Sequence, residues 1–402
     1  MTCGISEPDP VPADRPLRIF LVAIEESADR LGANLMQALR DLAGTERIQF
    51  LGVGGRKMAL AGLASLYPVD DLSIVGFASI PQMLPTIIQR LRQTSKAIKA
   101  WSPDVLVLID APTYNLPLAR RTRRANPDLP IVQYVAPPVW AWRFNRAPAM
   151  RNHVDLILAL LPFEPGALQA LGGPPCRYVG HPLVEDTNSL RPNPDEARRR
   201  LADPPLILAM LGSRSDEVKR LAPVFGEAIG LLAASRGPLQ LVAPTLPALR
   251  QQVSEQTANW PIRPTILTTD HERQSAIRTA RAALTKCGTA TLELALGSVP
   301  MIAVYKFSRF EAFFLRRLVR ASSFALPNLI LQQQVVPEVI HDDCTPQRLA
   351  SELAPLLEDT QERRTQTEAF ARLDQILEIA TTRPGRRAAG HVLDLCRTHS
   401  GR

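Results

Sequence analysis

Aromatic residues make up only 5% of this 402-residue chain, and its five cysteines, Cys3, Cys176, Cys287, Cys344 and Cys396, are odd in number and scattered. They form no C-x-x-C pair, which argues against a disulfide framework or a zinc site and fits a reducing cytoplasm. Long apolar runs are also missing. Val105 to Ile109 and Leu156 to Leu161 fall far short of the ~20 residues a spanning helix needs, so the chain is not expected to cross a membrane. Residues Met1 to Pro16 lack the basic start and apolar core of a signal peptide and read as a disordered tail. With few aromatics and no RRM, zinc-finger or clear helix-turn-helix pattern, nucleic acid is not an expected partner.

What the chain does have is length, proline and positive charge. The length suggests two domains of roughly 150–200 residues each. Many of the 36 prolines fall in loops. The formal charge is +8. Basic residues cluster at Arg120 to Arg124, at Arg143, Arg146 and Arg151, at Arg198 to Arg200, and at Arg316, Arg317 and Arg320. Singly each cluster reads as a solvated helix face; together they make a surface that attracts anions, whether acidic lipid or a phosphorylated substrate.

Strand and helix patterns alternate through most of the chain, the signature of an α/β fold with parallel sheets. Leu17 to Ala23 is a strand followed by I-E-E-S-A-D and a helix, the opening of a doubly wound domain, yet the turn lacks the G-x-G-x-x-G dinucleotide fingerprint. Residues Leu72 to Trp101 mix apolar and basic positions and suit either core packing or an anionic bilayer surface. Asp104 to Ile109 is a continuous apolar run that places Asp110 outside the carboxyl end of a strand, where ligands of open parallel sheets bind. It is either a general base or a turn cap. The loop A-P-P-V-W-A-W-R carries Trp140, Trp142 and Arg143, an indole pair suited to a sugar or acyl platform or to covering the sheet end. His181, alone at a turn, reads as structural.

A second α/β set starts at Leu206. Its first turn offers Gly212, Ser213 and Arg214 just before a helix, suited to a diphosphate. The stretch Ala282 to Tyr305 is a further strand, loop, helix, strand unit. Gly288 and Thr289 sit where helical N–H groups point outward, and Glu293, one turn later, suits ribose hydroxyls. A buried crossover helix explains the same pattern. Phe307 to Arg320 alternates aromatic and basic residues, as an interfacial helix or a core helix with snorkelling arginines would. The divisions expected are 17–185 for the first domain, 186–205 for a linker, 206–345 for the second domain and 346–402 for C-terminal helices.

Taken in order, G-V-G-G-R-K-M at Gly52, I-D-A-P at Ile109, V-W-A-W-R at Val139, V-G-H-P at Val179, G-S-R at Gly212, G-T-A-T-L-E at Gly288 and L-P-N-L at Leu326 resemble the lipid-A-disaccharide synthase family. The resemblance implies an inverting glycosyltransferase of GT-B type, with two Rossmann-like doubly wound domains facing across a cleft. Its substrates would be UDP-2,3-diacylglucosamine and 2,3-diacylglucosamine 1-phosphate (lipid X), met peripherally at the anionic inner face of the cytoplasmic membrane. It also implies Asp110 as the base, Gly212, Ser213, Arg214, Gly288, Thr289, Glu293 and Asn328 around the UDP-sugar, and Ser27, Asp29, Trp140, Trp142 and Arg143 toward the acceptor or sugar. No D-x-D motif is present, so neither metal nor cofactor is expected; Arg214 and helix N-termini would offset the leaving diphosphate.

The chain departs from the family pattern at the first loop, where I-E-E-S-A-D replaces G-E-A-S-G-D, and at Thr113, Leu211 and Cys287. Another UDP-sugar enzyme on the same fold, such as an epimerase or N-acetylglucosaminyl transferase, and a non-catalytic paralogue remain alternatives.

Overall fold

The continuous apolar runs become strands buried on both faces, as a parallel sheet covered by helices requires. In the computed structural model, residues 15–72, 80–141, 144–307, 323–381 and 383–400 are described. The chain divides into two compact units, residues 1–182 with 382–402, and residues 183–381.

In the first unit, strands β1 (Leu17–Ala23), β2 (Ile48–Val53), β3 (Ala64–Ser65), β4 (Val105–Ile109), β5 (Ile131–Tyr134), β6 (Leu156–Ala159) and β7 (Cys176–Tyr178) make one parallel sheet in the order β3-β2-β1-β4-β5-β6-β7. Between them run α1 (Glu26–Ala43), α2 (Arg56–Leu60), α3 (Ile80–Trp101), α4 (Pro112–Ala125), α5 (Arg146–Met150) and α6 (Glu164–Ala170). Successive strand residues point to opposite faces. Ile19, Leu21 and Val107 therefore pack under α1, while Phe20, Leu106 and Leu108 pack under α3, α4 and α5. Helix α1 buries Leu31, Leu35 and Leu39, a one-face stripe.

The second unit begins with α7 (Thr187–Leu190) and α8 (Pro194–Arg200), then β8 (Leu206–Met210), α9 (Ser215–Arg236), β9 (Gln240–Pro244), α10 (Arg250–Thr257), β10 (Thr265–Leu267), α11 (Asp270–Thr279), β11 (Ala282–Lys286), α12 (Thr289–Leu296), β12 (Met301–Tyr305) and β13 (Glu338–Ile340). Its sheet is also parallel, in the order β10-β9-β8-β11-β12-β13. Strand order reverses between β1 and β4 in one sheet and between β8 and β11 in the other. At such switch points neighbouring helices depart to opposite faces and leave a crevice at the carboxyl ends of the strands.

Tertiary contacts draw the domain divisions differently from the sequence. Residues 186–205, expected as a linker, hold α7 and α8 and belong to the second unit. There the buried Arg200 guanidinium donates to the carbonyls of Ser298 at 3.0 Å and Ile277 at 2.9 Å. The C-terminal helices do not form one block either: the last, Pro384–Ser400, returns to the first unit and packs on α1 through Ala388, Ala389, Val392, Leu393 and Cys396. The tail to residue 14, Trp142, Arg143, residues 73–79 and most of Phe307 to Arg320 lie outside the described residues.

Candidate functional site

The first-unit site is built at the β1/β4 switch point. The register pairs Ala23 with Ile109, which brings the loop after β1 alongside Asp110. Asp110 and Ala111 both adopt left-handed backbone, with φ of 54° and 41°, and Val135 at the end of β5 has φ of 77°. Strained residues of this kind persist only where surrounding structure holds them. Here the Asp110 carbonyl accepts from Asn115 Nδ2 at 2.8 Å and Gln133 Nε2 at 3.1 Å, and its N–H donates to Tyr134 O at 2.8 Å. Asn115 and Gln133 are themselves buried. The residue at the N-cap of α4 is Ala111, and no side chain caps that helix. Burial raises the Asp110 carboxyl above the usual range, partly offset by the Ala111 N–H.

Ser27 is exposed in the first turn of α1, on the same edge. Asp29 is not available to a ligand in the way the sequence implied. Its buried carboxylate accepts from the N–H groups of Gly55 at 2.8 Å, Lys57 at 2.7 Å and Met58 at 3.0 Å, so it caps α2 and ties the first loop to the second. Trp140 packs edge-on against Phe163, centroids 4.9 Å apart, and its Nε1 donates to Glu164 Oε1 at 3.3 Å. Burial pushes Glu164 up to about 7. His181 is buried and pushed down to about 4 by desolvation with the Arg30 charge adding to it, hence neutral and structural.

The second-unit site occupies the β8/β11 switch point, where Thr285 pairs with Met210. Gly212 has φ of 109°, a conformation glycine alone adopts readily, and an added Cβ would lie 2.4 Å from Glu217 Oε2. That carboxylate takes up the backbone donors expected to serve a diphosphate. Glu217 Oε2 accepts from Ser213 N at 3.0 Å and Arg214 N at 3.3 Å, while Oε1 lies 3.1 Å from Lys286 Nζ and 3.6 Å from the Arg214 guanidinium. The Arg214 side chain is 76% exposed and Glu217 only 10%. At this loop the Arg214 guanidinium is exposed, while the N–H groups of Ser213 and Arg214 are taken by Glu217.

Gly288 (φ 150°) and the exposed Thr289 start α12 at the carboxyl end of β11, and no side chain caps that helix. Glu293 is buried within this helix, 3.3 Å from the Arg273 guanidinium. Asn328 is spent internally: Nδ2 donates to Val336 O and Glu338 Oε1, both at 2.9 Å, and Oδ1 accepts from Val335 and Val336 N–H groups. It shapes the loop behind α12 and offers a ligand no amide. Cys287 and Leu211, two departures in the loops, are buried, with the Cys287 thiol raised by burial.

A family model described as Lipid-A-disaccharide synthetase matches residues 19–388. The chain belongs to this family. The lipid-A-disaccharide synthase of Rhodopseudomonas palustris (strain HaA2) is 48% identical over 382 residues, 95% of this chain and 97% of that one. Among solved structures, UDP-GlcNAc 2-epimerase from Neisseria meningitidis, bound to UDP-GlcNAc, shares the fold at 11% identity with a TM-score of 0.56, covering 91% of this chain and 100% of that one. MurG of Acinetobacter baumannii does so at 16% identity and a TM-score of 0.55, covering 96% and 100%. Lipid-A-disaccharide synthases are glycosyltransferases of lipid A biosynthesis, and this chain is one, with the two Rossmann-like units of a GT-B fold.

Lys286, Glu217, Asn115, Gln133 and Glu164 were not singled out from the sequence. A lysine at a strand's carboxyl end, two residues before Gly288, was the one legible signal. Gln133 and Glu164 act through partners more than 20 residues away, Asp110 and Trp140, while Asn115 and Glu217 fold back on backbone groups three to six residues before them.

Proposed function

We propose that the protein transfers the diacylglucosaminyl group of UDP-2,3-diacylglucosamine to the 6-hydroxyl of 2,3-diacylglucosamine 1-phosphate, giving the β-1,6-linked disaccharide 1-phosphate and UDP. The observation that carries this reading is the placement of Asp110, Arg214 and the Gly288 loop at the switch points of their two sheets, in a chain of this family. Asp110 takes the proton of the attacking hydroxyl. The new bond forms from that oxygen to the anomeric carbon as the bond to the β-phosphate oxygen breaks, which inverts the centre. Arg214, Lys286 and the N-terminus of α12 offset charge on the departing diphosphate, the kind of fixed electrostatic stabilisation worth the most where water is sparse.

Glu293, held by Arg273, is placed for ribose hydroxyls, with Thr289 and Ser213 at the pocket's surface. Ser27 and Trp140, with Trp142 and Arg143 in the same loop, serve the acceptor side, and Asp29 and Asn328 brace the loops. Among the described residues no helix is long and apolar enough to cross a membrane. We take the acylated substrates to be met by peripheral binding to anionic lipid, which salt would release.

Incubation with both substrates and mass spectrometry of the products tests the reading. A disaccharide 1-phosphate with stoichiometric UDP is expected. UDP binding with no product would reduce the protein to a binder of nucleotide sugars. Release of an epimerised UDP-sugar would favour the other enzymes of this fold.

A further inference from the structure

A groove of about 930 Å³ opens between α3, α4 and α5 of the first unit, and no described residue lining it is acidic. From α3 it is lined by Ile88, Leu91, Arg92, Ser95, Lys96 and Lys99, the i, i+3, i+4, i+7 spacing of one helix face. Helix α4 presents a stripe of the same spacing from Thr113 to Arg124. Both helices are crossovers between parallel strands, so both run from the carboxyl edge of the sheet to its amino edge and lie parallel. Their stripes therefore match level by level. Toward the carboxyl edge the walls carry the apolar Ile88, Leu91, Leu116 and Pro117, with Arg92 beside them; toward the amino edge they carry Lys96, Lys99, Arg120, Arg121 and Arg124, and Arg146 joins from α5. The apolar end opens to solvent, where Leu84 is 50% and Ile88 40% exposed. Cations gathered without a lining carboxylate repel one another, a cost that a bound anion removes.

We propose that this groove seats one anionic phospholipid of the bilayer, its phosphate among Lys96, Lys99, Arg120 and Arg124 and an acyl chain along Ile88, Leu91 and Leu116. A nucleic acid would need charge along the whole length, and a free phosphate would make no use of the apolar half. The reacting acceptor fits poorly as well. From Thr113 to Arg124 is about 16 Å along the helix axis, farther than one sugar ring can span between a hydroxyl at Asp110 and a phosphate at the cationic end. The groove is thus a docking site that holds the mouth of the first-unit site at the lipid surface. It rests on the membrane association proposed above, and does not depend on the chemistry of Asp110.

The test uses the full chain and a water-soluble anionic lipid, dihexanoyl phosphatidylglycerol, titrated calorimetrically beside dihexanoyl phosphatidylcholine and glycerol 3-phosphate. The phosphatidylglycerol is expected to bind at least tenfold more tightly than either of the others. The pair Arg120→Glu with Arg124→Glu should lose that binding tenfold or more, and Lys96→Glu with Lys99→Glu on the opposite wall should do the same if the first pair folds poorly. In detergent solution both pairs should keep UDP affinity and the acceptor KM. Unchanged phosphatidylglycerol binding in folded variants overturns the proposal. Equal binding of glycerol 3-phosphate overturns it in favour of a simple phosphate site, and a raised acceptor KM in detergent overturns it in favour of an acceptor subsite. Failure of the wild-type protein to form disaccharide in detergent would count against the proposed function alone.

Discussion

Asp110 owes its place to two amides. Its left-handed backbone costs on the order of 1–3 kcal/mol, and Asn115 and Gln133 hold the carbonyl that fixes it. Asp110→Asn is expected to keep fold and UDP affinity while turnover falls about 10²–10⁴-fold, the usual worth of a general base. Steady-state kinetics beside a UDP titration check this, and near-normal turnover would move the base elsewhere. Because burial raises the Asp110 carboxyl, and only the ionised form accepts a proton, turnover should climb with pH through that raised value. Glu164 makes a separate, structural prediction. Its carboxyl lies at about 7 in the fold against an ordinary 4.5, so between those values the folded chain binds more protons than the unfolded one. The stability this lends is fully present below pH 4.5 and lost as pH rises through 7, about 3 kcal/mol in all at roughly 1.4 kcal/mol per unit. Glu164→Gln should flatten that fall. Urea unfolding of both proteins at pH 5 and pH 8 measures it, and parallel losses would contradict the assignment.

At the scale of elements, the loop from β8 to α9 and the loop from β11 to α12 are joined by the ion pair of Glu217, in the first turn of α9, with Lys286, the last residue of β11. They tolerate change differently. At Gly212 a methyl group would be strained by φ of 109° and would also strike Glu217, whereas at Gly288 the strain of φ 150° stands alone, with Lys286 Nζ at an ordinary contact distance of 3.5 Å. Gly212→Ala is expected to weaken UDP binding more than Gly288→Ala, because only the former dislodges the carboxylate that orders Ser213, Arg214 and Lys286. Calorimetric UDP titrations of the two variants decide it, the reverse ranking being the contrary result. The sequence placed both loops just before a helix, as they are, since small residues before a helix are a local signal. It assigned the Gly212 loop's N–H groups to a phosphate because the carboxylate that takes them lies one helical turn on and folds back.

At the scale of the whole chain, the first unit is discontinuous: its sheet needs a helix from the other end of the sequence. Leu393 is 2% exposed and packs with Leu31, Leu35 and Leu39 of α1. Leu393→Ala should destabilise the first unit by about 2–5 kcal/mol. A chain ending at Thr381 should lose transferase activity and the first unit's unfolding transition while retaining UDP binding in the second. Differential scanning calorimetry and a UDP titration follow both, and an intact first-unit transition in the shortened chain would refute the role given to this helix.

Sequence alone determined the α/β class, nearly every strand, the family and the loops that carry the candidate site, because each rests on a local pattern: a buried apolar run, a small-residue turn, a helix start. Only tertiary structure decided the rest. It set Asp110 rather than Ala111 under two amide donors, and turned Asp29 from a ligand contact into the cap of α2. It consumed Asn328 in its own loop, paired Lys286 with Glu217, and returned the last helix to α1. Most of these bring together residues well apart in sequence, Gln133 with Asp110, Asp29 with Gly55 to Met58, Lys286 with Glu217 and the last helix with α1, and such adjacency is fixed by strand order and packing, which no local pattern encodes.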